Sequence, residues 1–341
     1  MIESEPEGDP ASESLDGLTS KDKKRISEYA EHTLHPRTRS QYEAIWGRFA
    51  AFCEERGVSS PLPATPEIIA AYLANRAQDL AAVTVSKDAY AISWKHKQKG
   101  LRDPTLAPEV RTVLKGIRQT ADPDEGYGKR KALLTEDIQA VIRTLPLEEP
   151  PSEVGPKERA KHLRALRTRA LFLIGYAGGF RASELIAIRM RDIALNESGM
   201  DVHVPEAKNG PRDTGISYAT DPDFCPVHSL RAWVEAVGIK AGPVFRRVRH
   251  SAEVPPDDAA NPINYSTLWR EINIAAEAAD IDSDQVGPHS LRRGHVTQAK
   301  LNGADIDRIR RHVGHKHLEV TVGYVEDVNR MKTNTSQELG L

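Results

Sequence analysis

Apolar positions recur at helical spacing over most of this chain. From Thr38 to Arg56, Tyr42, Ile45, Trp46, Phe49 and Phe52 fall on one stripe, and Gly57 ends the pattern. A second segment opens at Pro66 and carries Ile69, Tyr72 and Leu73. A third runs from Thr84 to Lys99 and is stopped by Gly100. A fourth, Pro108 to Arg118, presents Val110, Val113, Leu114 and Ile117. Helices this short, with brief connections, predict a small bundle. The polar stretch from Thr120 to Lys131 is rich in turn formers and predicts a linker.

Past the linker, a helix capped by Thr135 is expected, then a Pro- and Glu-rich connection from Pro146. A long helix follows, ending in LFLIGYAGG, with Gly178 and Gly179 as its stop. Strand signals are few. Asp201 to Glu206 alternates weakly, and Ile216 to Ala219 can pair with it across AKNGPRDTG, whose Asn-Gly step marks a turn. From Pro226 onward the pattern returns to helix, apart from a loop at residues 250–262. The chain therefore reads as mostly α, with a small antiparallel sheet in its second half. The expected divisions are an acidic tail at residues 1–20, a helical domain at 21–120, a linker at 121–132 and a second domain at 133–341.

Composition bounds this picture. A length of 341 residues suits two cores, and 39% apolar residues suffice to build them. The chain has no apolar run of about 18 residues, so no membrane span is expected. The N-terminus lacks the basic start and apolar stretch of a secretory signal. Cys53 and Cys225 lie far apart and form no CxxC, which fits a reducing cytoplasm and argues against a disulfide framework. The net charge of -2 gives no sign of polyanion binding. It hides a segregation, however: residues 1–16 hold six acids and no base, and without them the charge is +4. That acidic segment reads as a disordered, solvated tail.

Candidate chemistry lies in three strings. In GGFRASELIAIRMRDI, Arg181 opens a helical segment and Glu184, one turn on, shares its face, so the carboxylate can clamp and aim the guanidinium. In HSLRRGHVTQAKL, His289 and Arg292 sit three apart on one helix face, a pairing suited to phosphate. In RRHVGHKHLEVTVGYVE, His315 follows a glycine and Tyr324 lies nine residues later. Taken singly, each of these residues is more often structural than catalytic.

The order decides otherwise. Arg, His-x-x-Arg, Gly-His and then Tyr near the C-terminus resembles the tyrosine recombinase or phage integrase family. The strings FRASEL, HSLRRGHVT and VGHKHLEVTVGY carry the resemblance. It covers Leu134 to Glu326 and extends more weakly over residues 36–119. It implies a mostly α fold: an N-terminal helical core-binding (SAM-like) bundle joined to an α-rich catalytic domain with a small antiparallel β-sheet, the DNA breaking-rejoining fold. The two together would clamp duplex DNA. By the same resemblance Arg181, Lys208, His289, Arg292, His315 and Tyr324 are catalytic, with Tyr324 as nucleophile and Glu184 in support. Lys208, in VPEAKNGP, matches the family's lysine on a β-hairpin.

The implied activity is site-specific DNA cleavage and rejoining through a 3′-phosphotyrosyl intermediate, with no cofactor. No metal is expected, because His312, His315 and His317 have no carboxylate or cysteine set at useful spacing. The implied partner is double-stranded DNA, bound as a homotetramer on paired sites and as a monomer or dimer off DNA, in the cytoplasm. Arg37, Arg39, Lys95, Lys97, Lys99, Lys129, Arg130 and Lys131 are candidates for backbone phosphate contacts, which position without specifying sequence. The segment after Tyr324 is a candidate for docking on a neighbouring subunit. Two other functions fit parts of the pattern: a type IB topoisomerase, and a catalytically silent DNA-binding protein. The N-terminal bundle argues against the first, the complete residue set against the second.

Overall fold

Phe49, Ile69, Tyr72, Leu73, Val85, Ile92 and Val110 are buried together and organise the first part of the chain. In this computed structural model the described residues are 36–121, 130–148, 151, 153–205, 207 and 210–323, with Thr19, Lys21, Asp22, Arg25 and Leu34 besides. The chain divides into two compact units, Met1–Gly128 and Lys129–Leu341.

The first unit contains α1 (Pro36–Glu55), α2 (Pro66–Arg76), α3 (Ala82–Gln98) and α4 (Pro108–Thr120). Prolines open three of these helices, where a missing N–H costs nothing. The third begins at Ala82, two residues before the position expected from sequence. Phe49 and Phe52 both meet the ring of Tyr72 edge-on at 5.2 Å. Two buried polar groups are satisfied inside the bundle. Asp88 accepts from Tyr72 Oη and Arg76 Nε, and His96 bridges Ala64 N and Ile92 O.

The second unit begins with α5 (Thr135–Arg143), α6 (Pro156–Gly178) and the short α7 (Ala182–Ala187). Thr135 does not cap α5. Leu134 holds the cap position, and its N–H donates to the Asp137 carboxylate at 2.9 Å. The Thr135 hydroxyl instead pairs with that of Tyr176 at 2.9 Å. The sheet is antiparallel, in the order β1 (Ile193–Asn196), β2 (Gly199–Val204), β3 (Arg212–Ser217). It has one strand more than sequence predicted, since β1 is short, largely exposed and without alternation. The third strand also starts earlier than Ile216, at Arg212, because Thr214 and Ile216 both face the core.

Helix α8 (Pro226–Val237) ends at Gly238 in the left-handed conformation. Residues 239–263 are not helical, a longer irregular stretch than the expected 250–262. Arg246 replaces a helix as its organiser. It is buried, donates to the carbonyls of Pro243 and Pro255, and pairs with Asp257 at 2.7 Å. The chain then forms α9 (Tyr265–Glu277), α10 (Pro288–Leu301), α11 (Ile306–Val313) and α12 (Leu318–Val322). Helix α6 runs through the core beside α8, α9 and α10. Among the described residues no helix is long and apolar enough to cross a membrane.

The acidic segment at residues 1–16, Lys129, Lys208, Tyr324 and the segment after it lie outside the described residues.

Candidate active site

Two left-handed glycines build the site. Gly179 (φ 56°) terminates α6 and Gly314 (φ 68°) terminates α11. Each turn presents a carbonyl that a site arginine uses: Arg292 Nη1 donates to Gly179 O at 2.7 Å, and Arg181 Nη2 donates to Gly314 O at 3.2 Å. A side chain at Gly314 would place its Cβ 2.7 Å from Arg212 Cδ, so glycine is required for close approach as well as for φ. Gly179, which the sequence marks only as a helix stop, is therefore also an anchor for Arg292, and Gly314 for Arg181.

Arg181 holds the cap position of α7, and Glu184 reaches back to it. The Glu184 carboxylate accepts from the Arg181 amide at 3.0 Å, from Arg181 Nη1 at 2.6 Å and from Arg212 Nη2 at 2.9 Å. The Glu184 side chain is 2% exposed and that of Arg181 22%, so the clamp is buried while the guanidinium reaches solvent. Burial alone would push the Glu184 carboxyl up. The hydrogen bonds from Arg181 and Arg212 outweigh it and hold the group below the ordinary range.

Helix α10 opens at Pro288 and carries His289 and Arg292 one turn apart. Arg292 is buried. Its helix is pinned by the start of the second unit. Leu133 N donates to Ser290 O at 3.2 Å, Lys131 N to Gln285 O at 2.7 Å, and Arg293 Nη1 to Arg130 O at 3.0 Å. A Cβ on Gly294 would lie 1.8 Å from Leu133 O, so only glycine admits this crossing.

His315 follows Gly314 and is buried, with Nδ1 2.9 Å from the hydroxyl of Thr321 on α12. Burial, reinforced by Arg292, Arg181, His289 and Arg212, brings the His315 pKa down to about 3. His289 is lowered by burial and by Arg292, Arg293 and Arg181. These mutual influences place Arg181, Arg292, Arg212, His289 and His315 in one electropositive cluster. An anion placed there would meet the charge of three arginines and raise the proton affinity of the two neutral imidazoles.

Arg212 was not foreseen from sequence. From β3 it reaches Glu184, donates Nη1 to His312 O at 2.7 Å, and lies over the Phe180 ring at 5.3 Å. It thereby joins the Arg181 segment to the His315 turn. Its only sequence signal is being a cation just past the hairpin, which no spacing rule selects.

The expected phosphate-contact residues are distributed differently. Arg37 is exposed and Arg39 half-buried at the start of α1, and Lys99 is exposed at the end of α3. Lys95 is paired with Glu43 at 2.9 Å, near the rings of Trp94 and Trp46, and Lys97 with the buried Asp103 at 2.9 Å. Arg130 donates to Asp284 O, and Lys131 Nζ lies 3.2 Å from Asp137. Arg130 and Lys131 thus flank the start of the His289 helix. Among the described residues no group of His, Cys, Asp and Glu could hold a metal ion.

The buried histidines predict a pH dependence of stability. His289, His295, His312 and His315 all titrate below 6.5 in the folded chain, His295 and His315 at about 3. Below pH 6.5 the unfolded chain binds protons that the folded chain refuses. The stability present above 6.5 is therefore lost progressively as pH falls towards 3. The urea midpoint is expected to fall between pH 7 and pH 5, and inorganic phosphate to restore part of it. Equal midpoints at the two pH values would contradict the buried, neutral state of these rings.

A helical fold that carries a small hairpin sheet and gathers two arginines and two histidines from these motifs defines a tyrosine-type site-specific recombinase. The chain belongs to the phage integrase family, whose profile matches residues 157–330. It is 28% identical over 332 residues to an integrase/recombinase XerD homologue of Selenomonas ruminantium, covering 94% of this chain and 89% of that protein. It is 25% identical over 159 residues to the tyrosine recombinase XerD of Haemophilus influenzae, covering 47% of this chain and half of that protein. Its fold is similar to the XerH site-specific recombinase bound to a palindromic difH substrate in a post-cleavage complex, with a TM-score of 0.59 and 14% identity over 95% of this chain and 85% of that one. It is also similar to a lambda integrase dimer bound to a COC′ core site, with a TM-score of 0.58 and 16% identity over 90% and 77%.

Proposed function

We propose that this protein cuts and rejoins DNA at specific sites, with Tyr324 attacking phosphorus to form a 3′-phosphotyrosyl bond. The observation that carries this reading is the electropositive cluster of Arg181, Arg292, His289 and His315, in which each histidine is held neutral by burial and by the arginines beside it. A phosphodiester repels nucleophiles, and splitting it without metal requires positive charge aimed at the pentacoordinate transition state. The two arginines supply permanent charge through planar forks. In the tautomer where the Thr321 hydroxyl, 2.9 Å away, donates to Nδ1, His315 carries its hydrogen on Nε2 and donates a hydrogen bond from it to a non-bridging oxygen. His289 serves in hydrogen bonding and proton transfer. Lys208 protonates the departing 5′ oxygen.

Thr321 bonds His315 and precedes Tyr324 by three residues in the sequence. The covalent bond conserves the energy of the broken one, and a partner strand's 5′ hydroxyl then displaces the tyrosine. In this reading residues 21–120 are the core-binding domain and 133–341 the catalytic domain. Arg37, Arg39, Lys95, Lys97 and Lys99 in the first domain, and Lys129, Arg130 and Lys131 at the entry to the second, are the candidates for phosphate contacts. The partner is double-stranded DNA, with a homotetramer assembled on paired sites.

Supercoiled plasmids bearing two copies of the cognate site test this activity. The wild-type protein is expected to yield recombinant circles, and Tyr324→Phe none. Relaxation of supercoils without exchanged partners would overturn the recombinase reading.

A further inference from the structure

We propose that His295 and His312 form a positioning pair, which fixes the last turn of α6 and through it the carbonyl that orients Arg292. This inference rests on the reading of Arg292 as a phosphate-binding residue. Each histidine lies one turn from a site residue on its own segment: His295 three after Arg292, His312 three before His315. The two imidazoles stack with centroids 4.6 Å apart and planes within 6°. His295 Nδ1 is 2.9 Å from Tyr176 O, and His312 Nε2 is 3.0 Å from Ala177 O. A carbonyl oxygen only accepts, so both nitrogens carry hydrogens.

Those carbonyls belong to the final turn of α6, where few intrahelical donors remain; Tyr176 O also accepts from the Gly179 N–H at 3.2 Å. Two residues further on stands Gly179, whose carbonyl receives Arg292 Nη1 at 2.7 Å. The His295 ring also packs on Gly179 itself, since a Cβ there would lie 3.3 Å from Cδ2. His312 contributes from the other side. Its own carbonyl accepts from Arg212 Nη1 at 2.7 Å, and Arg212 is held by Glu184. The stacked pair therefore sits where the three segments that carry Arg181, Arg292 and His315 meet.

The arrangement requires neutral rings. Two imidazolium ions at stacking distance repel strongly away from water. The charged side chains facing the pair are cationic as well: Arg292 on α10, Arg212 on β3 and Arg308 on α11. On α6 the neighbour is Tyr176, whose hydroxyl burial holds protonated. Burial together with those cations brings His295 down to about 3 and lowers His312. Each ring then has one N–H, and each spends it on α6.

A purely space-filling role would be met equally well by another flat ring, which separates the two possibilities. His295→Phe and His312→Phe keep a stacked aromatic and remove the donors. His295→Asn places an amide N–H near the Nδ1 position, and His312→Gln places one near Nε2. Single-turnover cleavage of a nicked duplex carrying the cognate site, at saturating protein, is expected to fall about 10- to 100-fold in the Phe proteins, as for a displaced catalytic group. DNA affinity should be unchanged, and the Asn and Gln proteins should recover most of the rate. Wild-type rates in folded Phe proteins, or amide proteins no better than the Phe ones, would overturn the pairing.

The wild-type protein gives an independent check through its imidazole nitrogen resonances at neutral pH. His295 must be the Nδ1–H tautomer and His312 the Nε2–H tautomer; either opposite tautomer contradicts the proposal even if a variant fails to fold. Arg292→Ala separates the two layers. If it is inactive while the Phe proteins are normal, only this inference falls. If it is fully active, the reading of Arg292 beneath it falls.

Discussion

Arg292→Ala is expected to lower the rate of DNA strand cleavage by on the order of 100- to 1,000-fold, the usual cost of removing one preorganised donor to a developing oxyanion. Arg292 is buried and oriented by Gly179 O at 2.7 Å, so it meets a phosphate without first ordering itself. Arg292→Lys keeps a charge but loses the planar fork, and most of the deficit should remain. Cleavage is read on a nicked duplex that traps the covalent complex, with affinity measured separately by titration. A rate close to wild type at saturating protein would show that the cluster is not where the phosphate reacts.

The second large effect is on fold and chemistry together. Glu184 is the sole acid that either Arg181 or Arg212 pairs with among the described contacts, and its side chain is 2% exposed. Glu184→Ala leaves two guanidinium groups without their buried counter-ion, and such a loss costs about 3–5 kcal/mol. The urea midpoint is expected to fall accordingly, with cleavage by the remaining folded protein about 100-fold slower because Arg181 is no longer aimed. Glu184→Asp shortens the reach and should rescue only part of either loss. A stability and rate near wild type would refute the clamp.

Much of this was legible in the chain because it is local. The helical stripes of the first unit, the stop at Gly178-Gly179, and the spacing of His289 from Arg292 are set by residues close in sequence. The carboxylate of Glu184 meets Arg181 one turn away, as expected, with distances of 2.6 and 3.0 Å. What escaped depends on distant pairing. Arg212 reaches Glu184 across 28 residues and His312 across 100, and His312 meets α6 across 135. Strand β1 has no alternating pattern because its side chains are mostly exposed, so its partner β2 alone defines it. Thr135 carries the chemistry of a helix cap, but Asp137 takes that task and frees the hydroxyl for Tyr176. The stretch after Gly238 looked partly helical because its fold is held by one buried arginine, Arg246, whose bonds go to backbone carbonyls that no composition reveals.

Lys95 and Lys97 show the same limit from another side. Their spacing suggested a row of phosphate contacts, yet each meets an acid, Glu43 or Asp103, that comes from elsewhere in the bundle.

In the proposed reaction Tyr324 is the nucleophile and the bond it makes is to a 3′ phosphate. The most direct measurement is mass spectrometry of the peptide left attached to DNA after the covalent complex is trapped on a nicked cognate site and digested. A nucleotide phosphate is expected on the peptide containing Tyr324, linked through the 3′ end, with a free 5′ hydroxyl on the released strand. Attachment through any other residue, or through a 5′ phosphate, would contradict it.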